Sequence, residues 1–467
     1  MNLIRLTLLA LFIFNLSQAK EPTPLNFSQF RDGYLKSSDN IIQAQRNLTL
    51  AENQLETKTD VWKSQLNLTP QVNFATRQLD TIPSITSSWR AKNISATYSQ
   101  LMPTGTSFQL KGTEYIEKQN PLLSSLDSDY SAQLSQDLFK NSFGYSQRSQ
   151  TKKAELDYKI AQIEFTMQTT KTCQEAFSTY VDAYIYQQRL AILKKQLQDA
   201  EKALKSNRRL HRNRLIQKVD LLSSESDFLQ SQIQTQKAEQ LFKNAARGLE
   251  IFLGEHKVSQ LLDPSPHLGQ LPSDKDVKTL TEKIAHLRYQ SQDHEVDRVR
   301  SDRWSEIQLG LQLGQRKGRL STGSALEPFE EKYLNASLNF SFDIINKTED
   351  SALQSALQIR NQFEVIKERV KVSQDSVVKN LLENQNIFSQ QVETSKKRIQ
   401  LLDQKAKLAF EQMQKARLDF ENYLLHRNAF RNEQLNFLSY QKDLWMNHFA
   451  LQGELISEEK AFCGVSI

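Results

Sequence analysis

The sequence predicts a mixed, mainly α chain. Groups of membrane β-barrel strands precede long coiled-coil helical hairpins, and the whole is arranged as two internal repeats. Three observations carry that reading. Between Tyr130 and Phe252 a strand-like alternation turns at Asn141–Gly144 and runs into a long helical pattern with no proline. Four runs in the first half have one apolar and one polar face. The same order of elements then returns after a Pro- and Gly-rich break.

Composition agrees with a thin or water-filled architecture. Of 467 residues, 38% are hydrophobic, with a mean hydropathy of -0.58, so little core is buried per residue. Only 13 Gly and 10 Pro fit long uninterrupted helices. A net charge of +6 is a mild excess that does not argue for nucleic acid. Two cysteines, Cys173 and Cys463, predict no disulfide framework. Cys173 reads as a small buried hydrophobe and Cys463 as an unpaired thiol. No HExxH, GxGxxG or Walker loop occurs and the histidines are scattered, so neither a cofactor nor an enzymatic centre is expected.

The N-terminus reads as a signal peptide over residues 1–19. Arg5 supplies the positive end, Leu6 to Phe14 the apolar stretch, and Ser17-Gln18-Ala19 a small-x-small cleavage site. No cysteine stands there to carry a lipid. No later window reaches the ~18 apolar residues of a transmembrane helix, so an exported chain that spans a membrane must do so as a barrel.

The first repeat covers 20–252. Leu35, Ile41, Ile42, Ala44, Leu48 and Leu55 recur at mostly helical spacing up to Lys63. At Trp62 the period changes to two, and strands are predicted over about 66–139. Leu66, Leu68, Val72 and Phe74 alternate with Asn67, Gln71 and Asn73. Ile94, Ala96 and Tyr98 form a second run, Phe108 and Leu110 a third beyond Pro103-Thr-Gly105, and Ala132, Leu134 and Leu138 a fourth. A helical hairpin follows over about 145–252. Its return arm carries Leu215, Val219, Leu222, Ser226, Leu229 and Ile233 in three- and four-residue steps.

Residues 253–273 hold Gly254, Pro264, Pro266, Gly269 and Pro272 and read as a linker. The second repeat covers 274–459: a helix to Arg300, strands over about 305–343 and a hairpin over about 349–459. Residues 460–467 form a tail. Ala132 aligns with Ala336 at an offset of 204, whereas Trp62 aligns with Trp304 at 242. The difference is the size of one strand pair, so the first half carries an inserted hairpin near 92–116, inside or outside the barrel wall. Trp62 and Trp304, each heading a strand set, suit either a membrane-interface girdle or packing against the helices.

In this pattern the chain resembles the outer-membrane efflux protein family, the TolC-like channels of Gram-negative bacteria. The most specific local match is the hairpin tip, where the family has a glycine and, six positions on, an acidic residue. Here Arg214 precedes Asp220 and Ala416 precedes Asn422, with Asp220 and Asn422 202 positions apart. The resemblance implies a homotrimer that pools its strands into one outer-membrane barrel, in outer-membrane lipid, continued by a periplasmic helical coiled-coil tunnel. It implies a passive exit duct for efflux or type I secretion. The partners implied are a periplasmic adaptor (membrane fusion) protein and an inner-membrane pump or ABC transporter.

It also implies that tip residues line the periplasmic aperture. The candidates are Arg212, Arg214, Asp220, Arg417, Asp419, Glu421 and Asn422. With Arg214 and Ala416 in place of glycine, the turns are expected to be more helical than the family's. Asn422 stands where the resemblance implies an acid. Glu421 lies about 100° away around a helix axis, so Asp419 could substitute if the helix already runs through it. Lys205, Arg208, Arg209, His211, Arg212, Arg214 and Lys218 make the first tip basic: either a solvated helix end or a mouth for acidic adaptor residues. The competing reading is a periplasmic structural coiled coil or adaptor without a pore.

Overall fold

The period-two runs of the sequence all enter one six-stranded antiparallel sheet. The computed structural model describes residues 23–60, 62–78, 86–118, 125–254, 257–268, 279–321, 326–341 and 347–455. The signal peptide, its cleavage site, the tail and Cys463 lie outside them. The sheet comprises β2 (Gln65–Gln78), β3 (Thr86–Leu101), β4 (Thr106–Lys118), β5 (Ser125–Asp137), β7 (Glu306–Ser321) and β8 (Leu326–Ser341), in the order β2-β3-β4-β5-β7-β8. The pair expected near 92–116 is β3 and β4, held between β2 and β5.

Two glycine turns meet at one end of this sheet. Gly105 (φ 72°) closes the β3–β4 turn, and Gly144 (φ 74°) ends a short 3-10 turn, Ser142–Gly144. A Cβ on Gly144 would run into the Pro103 carbonyl oxygen, so only glycine lets these backbones touch without strain.

The chain separates into two units. The unit of 46–162 and 283–370 contains the sheet. The other, of 1–45, 163–282 and 371–467, is helical around a small parallel pair, β1 (Thr23–Leu25) and β6 (Val258–Leu261). β6 falls in the span read as a linker. Strands of three and four residues show no periodicity, and their pairing joins segments more than 200 residues apart, so local pattern is silent there.

Seven α-helices and a second short 3-10 turn, Ser265–His267, complete the described elements. The helices are α1 (Phe27–Ser37), α2 (Asp39–Asp60), α3 (Tyr145–Arg212), α4 (Lys218–Glu250), α5 (Leu280–Asp302), α6 (Lys347–Gln414) and α7 (Phe420–Glu454). Asn26 starts α1 with a capping box, its side chain accepting from the Gln29 N–H. α3 and α6 have 68 residues each, or about 100 Å at the α-helical rise. Among the described residues no helix is long and apolar enough to cross a membrane.

The helical unit is centred on aromatic rings. Phe177 of α3 stacks on Phe449 of α7 at 4.0 Å, and Phe27 of α1 meets Phe177 edge-on at 5.1 Å. The Tyr180 hydroxyl donates to the carbonyls of Leu25 and Leu262, both at 2.8 Å. Burial pushes that phenol well above its ordinary range, so it remains a neutral donor. Gln187 bonds both backbone groups of Leu261, at 2.8 and 3.0 Å. These contacts tie β1 and β6 to α3. Cys173, in the same core, is fully buried, as its place in the helical pattern predicts, and it is disulfide-bonded.

Candidate functional site: a two-faced sheet and two helix-turn tips

The register of the sheet sorts its side chains into rows. Leu66, Tyr98, Leu110, Ala132, Leu313 and Leu334 are successive cross-strand partners, one from each strand. One position along, the row reads Gln65, Ser99, Gln109, Gln133, Gln312 and Asn335. Because side chains alternate between faces, an unbroken apolar row and an unbroken polar row lie back to back. The apolar side is not a core: Leu66, Leu313 and Leu334 are 67%, 58% and 68% exposed. Leu309, Leu311, Leu338 and Phe340 continue this exposed face.

The polar face carries its own contacts. The Tyr333 hydroxyl donates to Asp129 at 3.2 Å, and the Arg316 guanidinium lies 4.5 Å from the Tyr333 ring. Arg316 Nε stands 3.5 Å from Asp129. Tyr333 occupies the space a Cβ on its cross-strand partner Gly314 would need, a tyrosine laid over a strand glycine.

The two tips are turns of one kind. α3 ends at Arg212, and Arg214 adopts φ 59°. The Arg214 N–H donates to the His211 carbonyl and the Leu215 N–H to that of Leu210, both at 2.9 Å. α6 ends at Gln414 and Ala416 adopts φ 52°; Ala416 N–H reaches Met413 at 3.0 Å and Arg417 N–H reaches Gln412 at 2.9 Å. Both are Schellman closures with the left-handed position filled by a non-glycine residue. The expectation of a more helical turn is therefore overturned. The orphan carbonyls at the ends of α3 and α6 demand the left-handed geometry whichever residue stands there. Arg214→Gly and Ala416→Gly should each stabilise the local turn by about 0.5–1 kcal/mol, read as slower amide exchange at the hairpin ends. No change in exchange would show that the strain is relieved elsewhere.

Asp419 also departs from expectation, because it is not within a helix. It is the N-cap of α7: its carboxylate accepts from the Asn422 N–H at 2.8 Å and from the Asn422 side-chain amide at 3.0 Å. Asn422 thus points a donor back at Asp419. Glu421, in the first turn of α7, and Asp220, in the first turn of α4, complement their helix N-termini. Gln217 caps α4 without a side-chain bond. Arg212, Arg214, Arg417, Asp419, Glu421 and Asn422 are exposed. Among the basic residues, Arg208 pairs with Glu225 at 3.0 Å and Lys205 with Glu201 at 2.7 Å, which reduces the positive excess. Beneath the second tip, Met413, Phe420 and Tyr423 pack with Ala203 and Ala409.

One contact was not anticipated from the sequence. Arg427 of α7 donates to Asp227 of α4 at 2.6 Å, with side chains only 7% and 12% exposed. The guanidinium lies 5.8 Å from the Tyr423 ring, whose phenol burial pushes up to about 12. Arg431, one turn on, bonds Gln234 at 3.1 Å. The signal was present: Phe420, Tyr423 and Arg427 follow one another at seam spacing, which places an arginine where the pattern asks for an apolar residue.

Trp62 and Trp304 each sit in the short link between a helix end and the first strand of a set, and Trp304 is 59% exposed.

No family model matches the sequence, and neither does any curated protein. Solved structures do. The CmeC outer membrane channel of Campylobacter jejuni aligns with TM-score 0.64 at 14% identity, covering 93% of this chain and 87% of that one. CusC aligns with TM-score 0.67 at 12% identity, over 92% and 91%. The outer membrane protein VceC of Vibrio cholerae gives 0.63 at 11%, over 92% and 94%. The chain has the fold of the TolC-like outer-membrane efflux channels.

Proposed function

We propose that this chain is an outer-membrane exit duct, a passive channel that extends into the periplasm and serves efflux or type I secretion. The observation that carries the reading is the pair of unbroken rows, apolar on one face and polar on the other, across all six strands. An exposed leucine face is costly in water and favoured in lipid, and a glutamine-rich face suits a water-filled lumen. Among the described residues the sheet has two open edges, β2 and β8, and an open edge is unstable in a bilayer, where unpaired backbone groups cost several kcal/mol each. It must be completed by further copies, which agrees with a homotrimer. The helices support self-association too. Val219, Leu222, Leu229 and Ile233 of α4 form a coiled-coil seam that is largely exposed in the single chain.

In this reading the two repeats each supply strands to the barrel and a hairpin to the periplasmic conduit. The exposed Trp304, with Trp62, belongs to the interfacial girdle. The tips, with Arg212, Arg214, Asp220, Arg417, Asp419, Glu421 and Asn422, face the aperture and a periplasmic adaptor that links the duct to an inner-membrane pump or ABC transporter. The protein performs no chemistry. The alternative, a pore-free periplasmic coiled coil, leaves the apolar sheet face without a solvent that suits it.

The deciding experiment is membrane fractionation with detergent extraction. Heat-modifiable trimers from outer membranes, conducting in planar bilayers, are expected. Recovery as a soluble periplasmic monomer would overturn the reading.

A further inference from the structure

We infer that three copies of this chain close an eighteen-stranded barrel, whose seams join the β8 edge of one copy to the β2 edge of the next. The inference rests on the trimeric duct proposed above and goes beyond it by assigning the partner surface and the width of the pore.

β3 and β4 belong to the wall. β2 reaches the rest of the sheet only through them, since the strand order is β2-β3-β4-β5-β7-β8. They also continue both rows: Tyr98 and Leu110 stand in the apolar row, Ser99 and Gln109 in the polar one. A flap lying outside the wall would have no reason to keep this two-faced pattern in step with its neighbours. Their length suffices as well. The shortest strands of the six-stranded sheet, β4 and β5, have 13 residues. At about 3.3 Å per residue and a tilt of about 40°, that rises about 33 Å, enough for a hydrocarbon core of about 30 Å.

The two edges fit each other. Every neighbouring pair in the sheet is antiparallel, so with six strands β8 runs opposite to β2. Rotation about a threefold axis brings β8 of one copy beside β2 of the next in the antiparallel sense, and the pattern continues around the ring. An odd number would force a parallel seam. The side-chain period adds a rule. Asn335, Ser337 and Asn339 of β8 share the polar face with Gln65, Asn67 and Thr69 of β2, so a seam that preserves the faces pairs these sets with each other.

The consequence is width. With strands about 4.7 Å apart and tilted about 40°, eighteen strands close at a backbone diameter of about 35 Å, whereas twelve close at about 24 Å. Twelve is the count if β3 and β4 lay outside the wall.

Two measurements on the full-length protein test this. Single cysteines at Asn335, Ser337 or Asn339 are combined with single cysteines at Gln65, Asn67 or Thr69, and the membranes are oxidised. Covalently linked trimers are expected for at least one pair, and none when Leu66 or Leu68 carries the second cysteine. End-on electron cryomicroscopy averages of the untouched trimer should show a barrel about 35 Å across. Trimers with a barrel near 24 Å, or linkage through Leu66 or Leu68 instead, would overturn the inference and leave the duct intact. Absence of trimers would overturn both.

Discussion

Asp227→Ala is expected to destabilise the packing of α4 on α7 by about 3–5 kcal/mol, because it strands a buried guanidinium. The bond it removes is 2.6 Å long, between side chains 7% and 12% exposed. In water such a pair would be worth less than about 1 kcal/mol. Here the loss is dominated by what remains: Arg427, already with its Nε and Nη1 unbonded, would lose its bonded carboxylate partner. Arg431, one turn away, adds a like charge, and burial together with Arg427 holds its guanidinium below the ordinary range. Hydrogen exchange should report the change as faster amides in α4 around Asp227 and in α7 around Arg427. The double replacement Asp227→Leu with Arg427→Met tests the cause. It removes both charges and should recover stability to within about 1 kcal/mol, since apolar pairs often match buried ion pairs. If the double variant were as unstable as the single one, packing volume rather than charge would hold the helices together.

The elements that repeat a local period were legible in the sequence, and those fixed by a distant partner were not. The alternation of Leu309, Leu311 and Leu313 with Gln308 and Gln312 marks a strand whatever its neighbours, and the structure has β7 there. The proline-free stretch after Tyr145 reads as a helix for the same reason, and α3 runs through it. By contrast, Val258–Leu261 becomes a strand only because Thr23–Leu25 lies beside it. The tips divide in the same way. Their position followed from the spacing of Asp220 and Asn422, but their conformation did not. Arg214 has almost no intrinsic preference for φ 59°, and the turn hydrogen bonds of α3 impose it. Asp419 is a helix cap and not a helical residue, and the aspartate three positions before Asn422, whose N–H it accepts, is the cap signature. The Asp227–Arg427 pair joins two residues 200 positions apart, and nothing local at either one names the other.

The largest single effect on the sheet should come from moving a charge by one residue. Leu311 and Gln312 are adjacent in β7, yet they belong to opposite faces: Leu311 pairs with Leu134 and Ala336, Gln312 with Gln133 and Asn335. Leu311→Arg puts a guanidinium on the face we propose meets lipid, near the middle of the apolar rows, where such a charge costs about 2–4 kcal/mol. In a trimer the cost is incurred three times in one barrel, so the variant should be nearly absent from outer membranes. Gln312→Arg puts the same side chain into the lumen, where water and the neighbouring amides of Gln133 and Asn335 solvate it. That variant should reach normal abundance and shift the reversal potential of the reconstituted channel toward anions. The comparison separates the membrane reading from mere sheet stability, because both replacements alter the same strand by one long cation. Equal abundance of the two variants would mean that the apolar face does not meet lipid. A reversed order would mean that the faces are exchanged, with the leucine rows packed inside and the glutamine rows turned outward.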